Sequence, residues 1–376
     1  MDRIYLDYAA TTGLKPEVLE AMSPFFSEMP GNPSGMYASA RKAKEALEEA
    51  RHTVLREIGG HKTDGVYFTS GGTESDNWAL FGAAMAKGGG HIVTTAAEHH
   101  AVMEACRALE KKGFDITYVP VDQYGMAHPE EIEKAIRKDT VLVSCIYANN
   151  EVGTVNPVGE IGDAVRGKGV PFHVDAVQAA GTLKIDVERQ SIDLLSVSAH
   201  KFYGPKGAGA LYVRKGVSLE SLLVGGKQER GKRAGTENMP GIVGLASALR
   251  MANENRQAEN KRLEELREHM TRRLLGEVPG VRLNGHPKKR LPGNVNILVS
   301  GLLSEAALVL LDRAGIECSA GSACTSGALI PSHVLLAMGI DKQAARTSLR
   351  FTMGAETKKE HIDYTVDTLK DIVKKM

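Results

Sequence analysis

Between residues 65 and 213 short apolar runs recur, each followed by a turn or by a stretch with helical spacing: GVYFT, HIVTT, DITYVPV, TVLVSCIYA, VPFHVDAV, DLLSVSAH and GALYVRK. A strand with one wet face alternates apolar and polar residues, whereas TVLVSCIYA is apolar on both sides. Strands of that kind need cover on both faces, which intervening helices supply in a mostly parallel sheet. The run GVYFTSGGTESDNWALFGAA shows the unit in small: a strand, a Gly-Gly turn, a helix. Upstream, apolar or small residues at 36, 40, 43, 47, 50, 54 and 58 repeat with the period of an amphipathic helix. The expected architecture is α/β, with a large mostly parallel sheet domain over residues 16–255.

The pattern then changes. A long helical segment carries Leu245, Leu249, Ala252, Leu263, Leu266, Met270 and Leu274 on one side, but its middle, ANENRQAENKR, is almost wholly polar. A helix that is apolar at both ends and polar between them suits a bridge between two domains. Beyond it come GNVNILVSG with period 2, the helix-like SEAALVLLDRAG, IECS, the small-residue run SAGSACTSGALIPS, SLRFTMG and a last amphipathic helix. This is the pattern of a smaller α+β domain. No internal repeat or low-complexity stretch interrupts it.

Composition narrows the function classes. The 376 residues suffice for two domains, and 42% hydrophobic with 25% charged residues is ordinary for a globular chain. Lys+Arg 47 against Asp+Glu 46 leaves no net field to attract nucleic acid or an anionic membrane. Basic clusters at Lys227–Arg233 and Lys288–Arg290 read as solvated loops, with polyanion binding as the alternative. The opening MDRIYLDYAATTG lacks the basic and apolar regions of a signal peptide, and no uncharged apolar run reaches the roughly 20 residues of a membrane span. Four cysteines (Cys106, Cys145, Cys318, Cys324) do not make a disulfide framework, so the cytoplasm is the expected compartment.

Several positions carry chemistry. Lys201, in SVSAHKFYGPKG, stands where a buried strand ends; alone it could be a surface lysine at a strand exit. Asp175 closes the strand in FHVDAVQ, where open α/β sheets bind ligands, although an aspartate there could also cap a helix. Gly72 and Thr73 belong to SGGTES, a turn before a helix N-terminus that offers free N–H groups to an anion or serves merely as a structural cap. Ser198 and His200 flank this region of the sheet edge. Lysine, acid and anion cradle together match what pyridoxal phosphate requires. Cys324 sits among small residues that cannot bury it, as a mobile nucleophile would; pairing with Cys318 or a metal site are the rivals. His99 and His100 are adjacent, so their side chains diverge, and one of them could contact a ring or relay a proton. Arg350 in SLRFTMG is either an ion-pair partner or a carboxylate clamp.

Taken together, YLDYAATT, GNPSG, TSGGTESDN, EHHAV, NNEVGT, HVDAVQ, SVSAHKFYGPKGAGALYV, RAGTEN, GSACTSG and SLRF resemble the NifS/IscS-like cysteine desulfurases, a branch of the class V aminotransferases. The likeness runs from residue 4 to beyond residue 350. It implies the fold type I architecture of pyridoxal-phosphate enzymes, with residues 1–15 and 256–376 forming a small domain whose catalytic loop spans about 319–331. It implies that Lys201 forms the Schiff base with pyridoxal 5'-phosphate and that His99 stacks on the ring and handles protons. Asp175 would meet the pyridine nitrogen and Gln178 the phenolic oxygen. Gly72, Thr73, Ser198 and His200 would hold the phosphate, joined by Thr236 from the other subunit of a homodimer. Asn150 and Arg350 would bind the carboxylate of L-cysteine. Cys324 would take the sulfur as a persulfide, releasing L-alanine, for an iron–sulfur scaffold or a tRNA-thiolating enzyme.

Departures from the family pattern are Ser319-Ala320 where two serines are usual, the extra thiol Cys318, and Gly354-Ala355 in place of Gly-Arg. The end of the chain at Met376 comes before the longer tail with which some relatives dock an iron–sulfur scaffold, which makes another acceptor a competitor. A selenocysteine lyase or other class V enzyme on the same cofactor, and a non-catalytic sulfur-relay protein, are the alternative readings. Cys324 disfavours the first, and the joint presence of Lys201, Asp175, His99, Arg350 and Cys324 disfavours the second.

Overall fold

The computed structural model describes residues 3–320 and 331–375, so Cys324 and most of the expected loop lie outside the described residues. Seven strands form the main sheet in the spatial order Gly65–Thr69, Gly209–Val213, Leu194–Ser198, Phe172–Asp175, Thr140–Ile146, His91–Thr95 and Asp115–Val119. From Leu194–Ser198 outward to Asp115–Val119 every neighbouring pair is parallel. Only Gly209–Val213 runs against both its neighbours. Thr140–Ile146 is buried along its whole length, as its two-sided apolar sequence predicts.

Alternate residues of the strands feed two apolar layers. Leu142, Ile92, Leu194 and Leu211 pack with Trp78 and Leu80 of the helix Gly72–Lys87 and Leu109 of His100–Glu110. On the other face Val143, Cys145, Val174 and Val197 pack with Leu47 and Val54 of Ala38–Glu57 and Ile161 of Val158–Gly167. A separate core surrounds a three-stranded antiparallel sheet with Asn294–Val299 in the centre, flanked by Val281–Asn284 and Ser348–Thr352. Leu6 joins this second core, and Ile4–Tyr5 pairs in parallel with Ile316–Glu317.

One helix, Met239–Glu277, serves both cores. Its 39 residues span roughly 58 Å at the standard rise. Ile242, Leu245 and Leu249 enter the first core; Leu263, Leu266, Met270 and Leu274 enter the second. The polar middle satisfies loop carbonyls instead. Asn253 Nδ2 donates to Glu57 O (3.1 Å), Asn260 Nδ2 to Thr182 O (2.8 Å) and Arg262 to the carbonyls of Gly354 and Thr357.

The period-2 strand Asn294–Val299 is buried on both faces, because the segment Asn149–Thr154 covers its polar side. There Asn294 and Asn296 both donate to Glu151 O, at 3.3 and 3.1 Å.

At the edge of the main sheet Arg51 makes a bidentate pair with Glu229 (2.9 and 3.1 Å). Both side chains are only 2% exposed, and Glu229 also accepts from Phe68 N at 2.9 Å. Glu229 and Arg230 hold left-handed backbone conformations (φ 46° and 58°), so the pair fixes a strained turn in the segment that leads to Thr236. Removing Arg51 leaves a buried carboxylate uncompensated. Arg51→Met is expected to destabilise by about 3–5 kcal/mol, read from the urea midpoint of the main transition, with Arg51→Met/Glu229→Gln recovering part of the loss. Equal stability of Arg51→Met and wild type would contradict this account.

Candidate active site

Parallel pairing brings the carboxyl ends of the central strands side by side. Ile146 registers with Asp175 and Asp175 with Ser196. Above this edge lies a cavity of about 300 Å³. Gly72, Thr73, His99, Asn150, Asp175, Gln178, Ser198, His200 and Lys201 line it from the main sheet and its turns, and Arg350 joins them from the three-stranded sheet. Thr236 is exposed and lines no part of it.

The anion cradle is built by glycine. Gly71 has φ +155° and caps the helix Gly72–Lys87, and a Cβ on Gly72 would stand 2.6 Å from Val177 Cγ2. Gly72, where an added Cβ would also lie 3.5 Å from Ser198 Cβ, thus leaves the free N–H groups of the first helical turn beside Ser198 and His200 at one opening. A second opening of about 350 Å³ shares Gly72, Thr73, Ser198 and His200 and adds Lys206. His200 is held by Thr11 Oγ1 at 3.1 Å. Burial, then the charges of Lys201 and Lys206, lower its pKa to about 4, so the ring is neutral.

Lys201 ends a short turn, Ala199–Lys201, directly after the strand. Its Nζ donates to Ala9 O (2.6 Å) and Ala10 O (2.7 Å), and Gln178 Nε2 donates to Ala9 O at 2.9 Å. Tyr203 is left-handed (φ 65°) and is pinned by Thr12 Oγ1, which accepts from its N–H at 2.9 Å. Asp175 accepts from Val177 N at 2.9 Å. Burial pushes its pKa up to about 6, opposed by that N–H and by Lys201.

His99 caps the helix His100–Glu110: its Nδ1 accepts from Ala101 N at 3.1 Å, so the proton of the neutral ring sits on Nε2. Burial and then Lys201 lower its pKa to about 4. His100 lies outside the cavity lining and meets the His333 ring, 4.7 Å between centroids, while its ring stays edge-on to His99 at 6.5 Å, so the two neighbours diverge less than expected.

Arg350 is both an ion-pair partner and a potential clamp. Nη2 meets Asp7 Oδ1 at 2.7 Å and Nη1 donates to Asn150 O at 3.0 Å, while the buried Nε has no hydrogen-bond partner among the described residues. Ser319 and Arg350 exchange backbone bonds, and the Ser319 hydroxyl donates to Asp7 Oδ2 at 2.9 Å. On the far side of residues 321–330 the Ser332 hydroxyl donates to Glu151. Both flanks of the segment that holds Cys324 are thus tied to residues beside Arg350 and Asn150. Cys318 packs against the second core, and burial pushes its thiol up to about 12, which keeps it protonated at neutral pH.

The residues present fit pyridoxal phosphate. A lysine, an acid, a neutral histidine and a helix N-terminus that opens on Gly72 and Thr73 face one cavity, and Asp76 Oδ1 and Arg350 Nε lie buried beside it without hydrogen-bond partners among the described residues. Sequence reasoning missed Asp7, Asp76, Glu98 and Glu151. Each is an acid whose only sequence signal is its place in a run that proves to be buried or tightly packed. Glu98 is fully buried; Oε1 accepts from Thr95 Oγ1 (2.7 Å) and Ile146 N (2.9 Å), while Oε2 has no hydrogen-bond partner among the described residues. Burial raises its pKa from 4.5 to about 8. The folded state therefore binds the proton more tightly than the unfolded chain. The stability this contributes is complete below pH 4.5 and is lost by about pH 8. Glu98→Gln is expected to flatten the fall in urea midpoint between pH 5 and about 8; an unchanged slope would mean that Glu98 is ionised in the fold.

Comparison with known proteins places this geometry. Residues 4–365 match the family model of class-V aminotransferases. The chain is 50% identical to the cysteine desulfurase IscS of Clostridium botulinum (strain Hall / ATCC 3502 / NCTC 13319 / Type A) over 377 aligned residues, covering 99% of this chain and 94% of that protein. It is 45% identical to the putative cysteine desulfurase IscS 1 of Bacillus subtilis (strain 168), with 100% of both covered. A solved NifS-like protein superposes with a TM-score of 0.93 at 37% identity over the full length of both chains. The cavity, its lysine and its acid thus belong to a chain of the class-V aminotransferase family, within its pyridoxal-phosphate-dependent cysteine desulfurases.

Proposed function

We propose that this desulfurase works through the residues gathered at the 300 Å³ cavity, and the convergence of Lys201, Asp175, His99 and Arg350 there is the observation that carries the assignment. Lys201 would hold the cofactor, and its amine is placed to take the Cα proton of the substrate. Asp175 would keep the ring nitrogen protonated, Gln178 would meet the phenolic oxygen, and His99 would face the ring with its Nε2–H available. Gly72, Thr73, Ser198 and His200 would hold the phosphate. When bound, the cofactor supplies an electron sink for the carbanion formed on the substrate.

Arg350 and Asn150 orient the substrate carboxylate; the buried Nε of Arg350 and its proximity to Asn150 support this role. Cys324, as thiolate, attacks the sulfur of L-cysteine. An S–S bond forms as the Cβ–S bond breaks, the electron pair stays with carbon and is met by a proton, and L-alanine leaves. A persulfide remains on Cys324. The ties of Ser319 to Asp7 and of Ser332 to Glu151, beside Arg350 and Asn150, support this reading of the sequence between them.

The active unit is a homodimer in which Thr236 reaches the partner's phosphate site. Its exposure on a segment fixed by Arg51–Glu229 and by Arg233–Glu74 (2.8 Å) supports presentation to a second copy. The two apolar cores support a division into residues 16–255 and residues 1–15 with 256–376. No helix among the described residues is long and apolar enough to cross a membrane, and a cytoplasmic location follows the cysteine usage. Sulfur passes to an acceptor protein, an iron–sulfur scaffold or a tRNA-thiolating enzyme; radiolabelled sulfur from L-cysteine, followed onto each, separates the two.

Alanine and sulfide release from L-cysteine with a thiol reductant tests the roles. Cys324→Ala is expected to lose sulfur transfer while keeping the cofactor's visible absorption. Lys201→Ala should lower turnover by roughly 10²–10⁴-fold. Arg350→Ala should act chiefly on KM, raising it about 10-fold or more for a lost charged hydrogen bond. Sulfide release by Cys324→Ala at the wild-type rate would replace this mechanism with a lyase.

A further inference from the structure

Asp175 is not the only acid at its end of the cavity. Asp76, one turn into the helix Gly72–Lys87, lines the same cavity and is 1% exposed. Its Oδ1 has no hydrogen-bond partner among the described residues. The imidazole nitrogen His173 Nε2 stands 3.6 Å away and is already engaged with Ser196 Oγ at 3.0 Å. His173 Nδ1 is taken by Ser144 Oγ at 2.9 Å. His173 and Asp175 are two residues apart on one strand and so face the same side of the sheet.

The elements around Asp76 bring more acid than base. The strand Phe172–Asp175 presents His173 and Asp175, the neighbouring strands present the hydroxyls of Ser196 and Ser144, and the segment before His100 presents Glu98. Among the described residues the cation that acts on this group is Lys201, which stabilises Asp175. With Glu98 holding its own proton up to about pH 8, ionising both Asp76 and Asp175 would leave two buried carboxylates to one such cation, a costly arrangement.

We propose that Asp76 and Asp175 share a single proton held on Asp76, so that Asp76 is a positioning residue that fixes one negative charge, on Asp175, for the ring nitrogen of the cofactor. Burial and the charge of Asp175 push Asp76 well above the usual carboxylate range, against the opposing pull of the Ser196 hydroxyl. The rival arrangement, an ionised Asp76 against a protonated His173, would put a cation between two hydroxyls in a dry interior, where burial lowers the histidine to about 3. The inference rests on the reading of Asp175 as the partner of the ring nitrogen.

Infrared spectra of the holoenzyme with isotope-labelled aspartate test it. At pH 7 wild type should show the carbonyl band of a protonated aspartic acid, and Asp76→Asn should lose it. His173→Gln keeps the side chain uncharged: the band should be unchanged if Asp76 already carries the proton, and should appear anew if Asp76 was paired with an imidazolium. A band absent from wild type, or one that appears only in His173→Gln, overturns the proposal. The His173→Gln spectrum separates the two arrangements even if Asp76→Asn does not fold. The pH titration of the bound cofactor's visible absorption gives a further readout, since an alkaline transition belonging to the pair should be lost in Asp76→Asn. If Asp175→Asn leaves that spectrum unaltered while the wild-type band stands, the ring-nitrogen reading fails and the shared proton survives.

Discussion

Parallel pairing is the constraint on which the rest of this molecule depends. Once Thr140–Ile146, Phe172–Asp175 and Leu194–Ser198 run in the same direction, their carboxyl ends must share one edge, and whatever follows each strand is delivered there. Asn150, Asp175, Ser198, His200 and Lys201 come together for that reason and not through any local attraction between them. The single antiparallel strand, Gly209–Val213, returns the chain beside Ser198. Its first residue has to be glycine, because a Cβ there would lie 2.6 Å from Gly71 Cα and push the anion-binding turn away.

The same packing makes the site dry, and dryness decides its charge states. His99 and His200 are driven to about 4 and act as neutral rings, while Glu98 and Glu151 are driven up to about 8 and 7. Few full charges survive in such surroundings. Lys201, with two carbonyls fixed on its Nζ, and Asp175, with a backbone N–H and that lysine to stabilise it, are placed to be two of them. The strained Tyr203 next to Lys201 is held by Thr12 and by Ala355 N, which donates to its hydroxyl at 2.8 Å. Left-handed strain of this kind persists only where the surroundings over-determine it.

The two cores are coupled by contacts that cross hundreds of residues. The segment Leu6–Thr12 belongs to the second core at Leu6, meets Arg350 at Asp7, and roofs Lys201 and Gln178 with the carbonyls of Ala9 and Ala10. The helix Met239–Glu277 ties the same two bodies from the other side, its polar middle bonded to loops of both. A displacement of the second core would therefore reach Lys201, Arg350 and Ser319 together.

Much of this was legible in the residues. Every strand expected from an apolar run formed, because strand period, turn glycines and burial on two faces are properties of a few consecutive residues. Asp175 at a strand end followed from the same local signals, while Lys201 lies three residues past its strand, at the end of the turn Ala199–Lys201, and Gly72 opens the helix instead of preceding it. Arg350 was undecided in the sequence, and its pairing with Asp7, 343 residues away, required the folded chain. So did the burial of Asp76, Glu98 and Glu151, which look like ordinary surface acids in one dimension. Sequence alone determined where the chain turns and which side chains stand at its turns, since those depend on neighbours along the chain. Only the tertiary structure decided which of those groups are charged, since desolvation is imposed by residues that meet them from every other part of the fold.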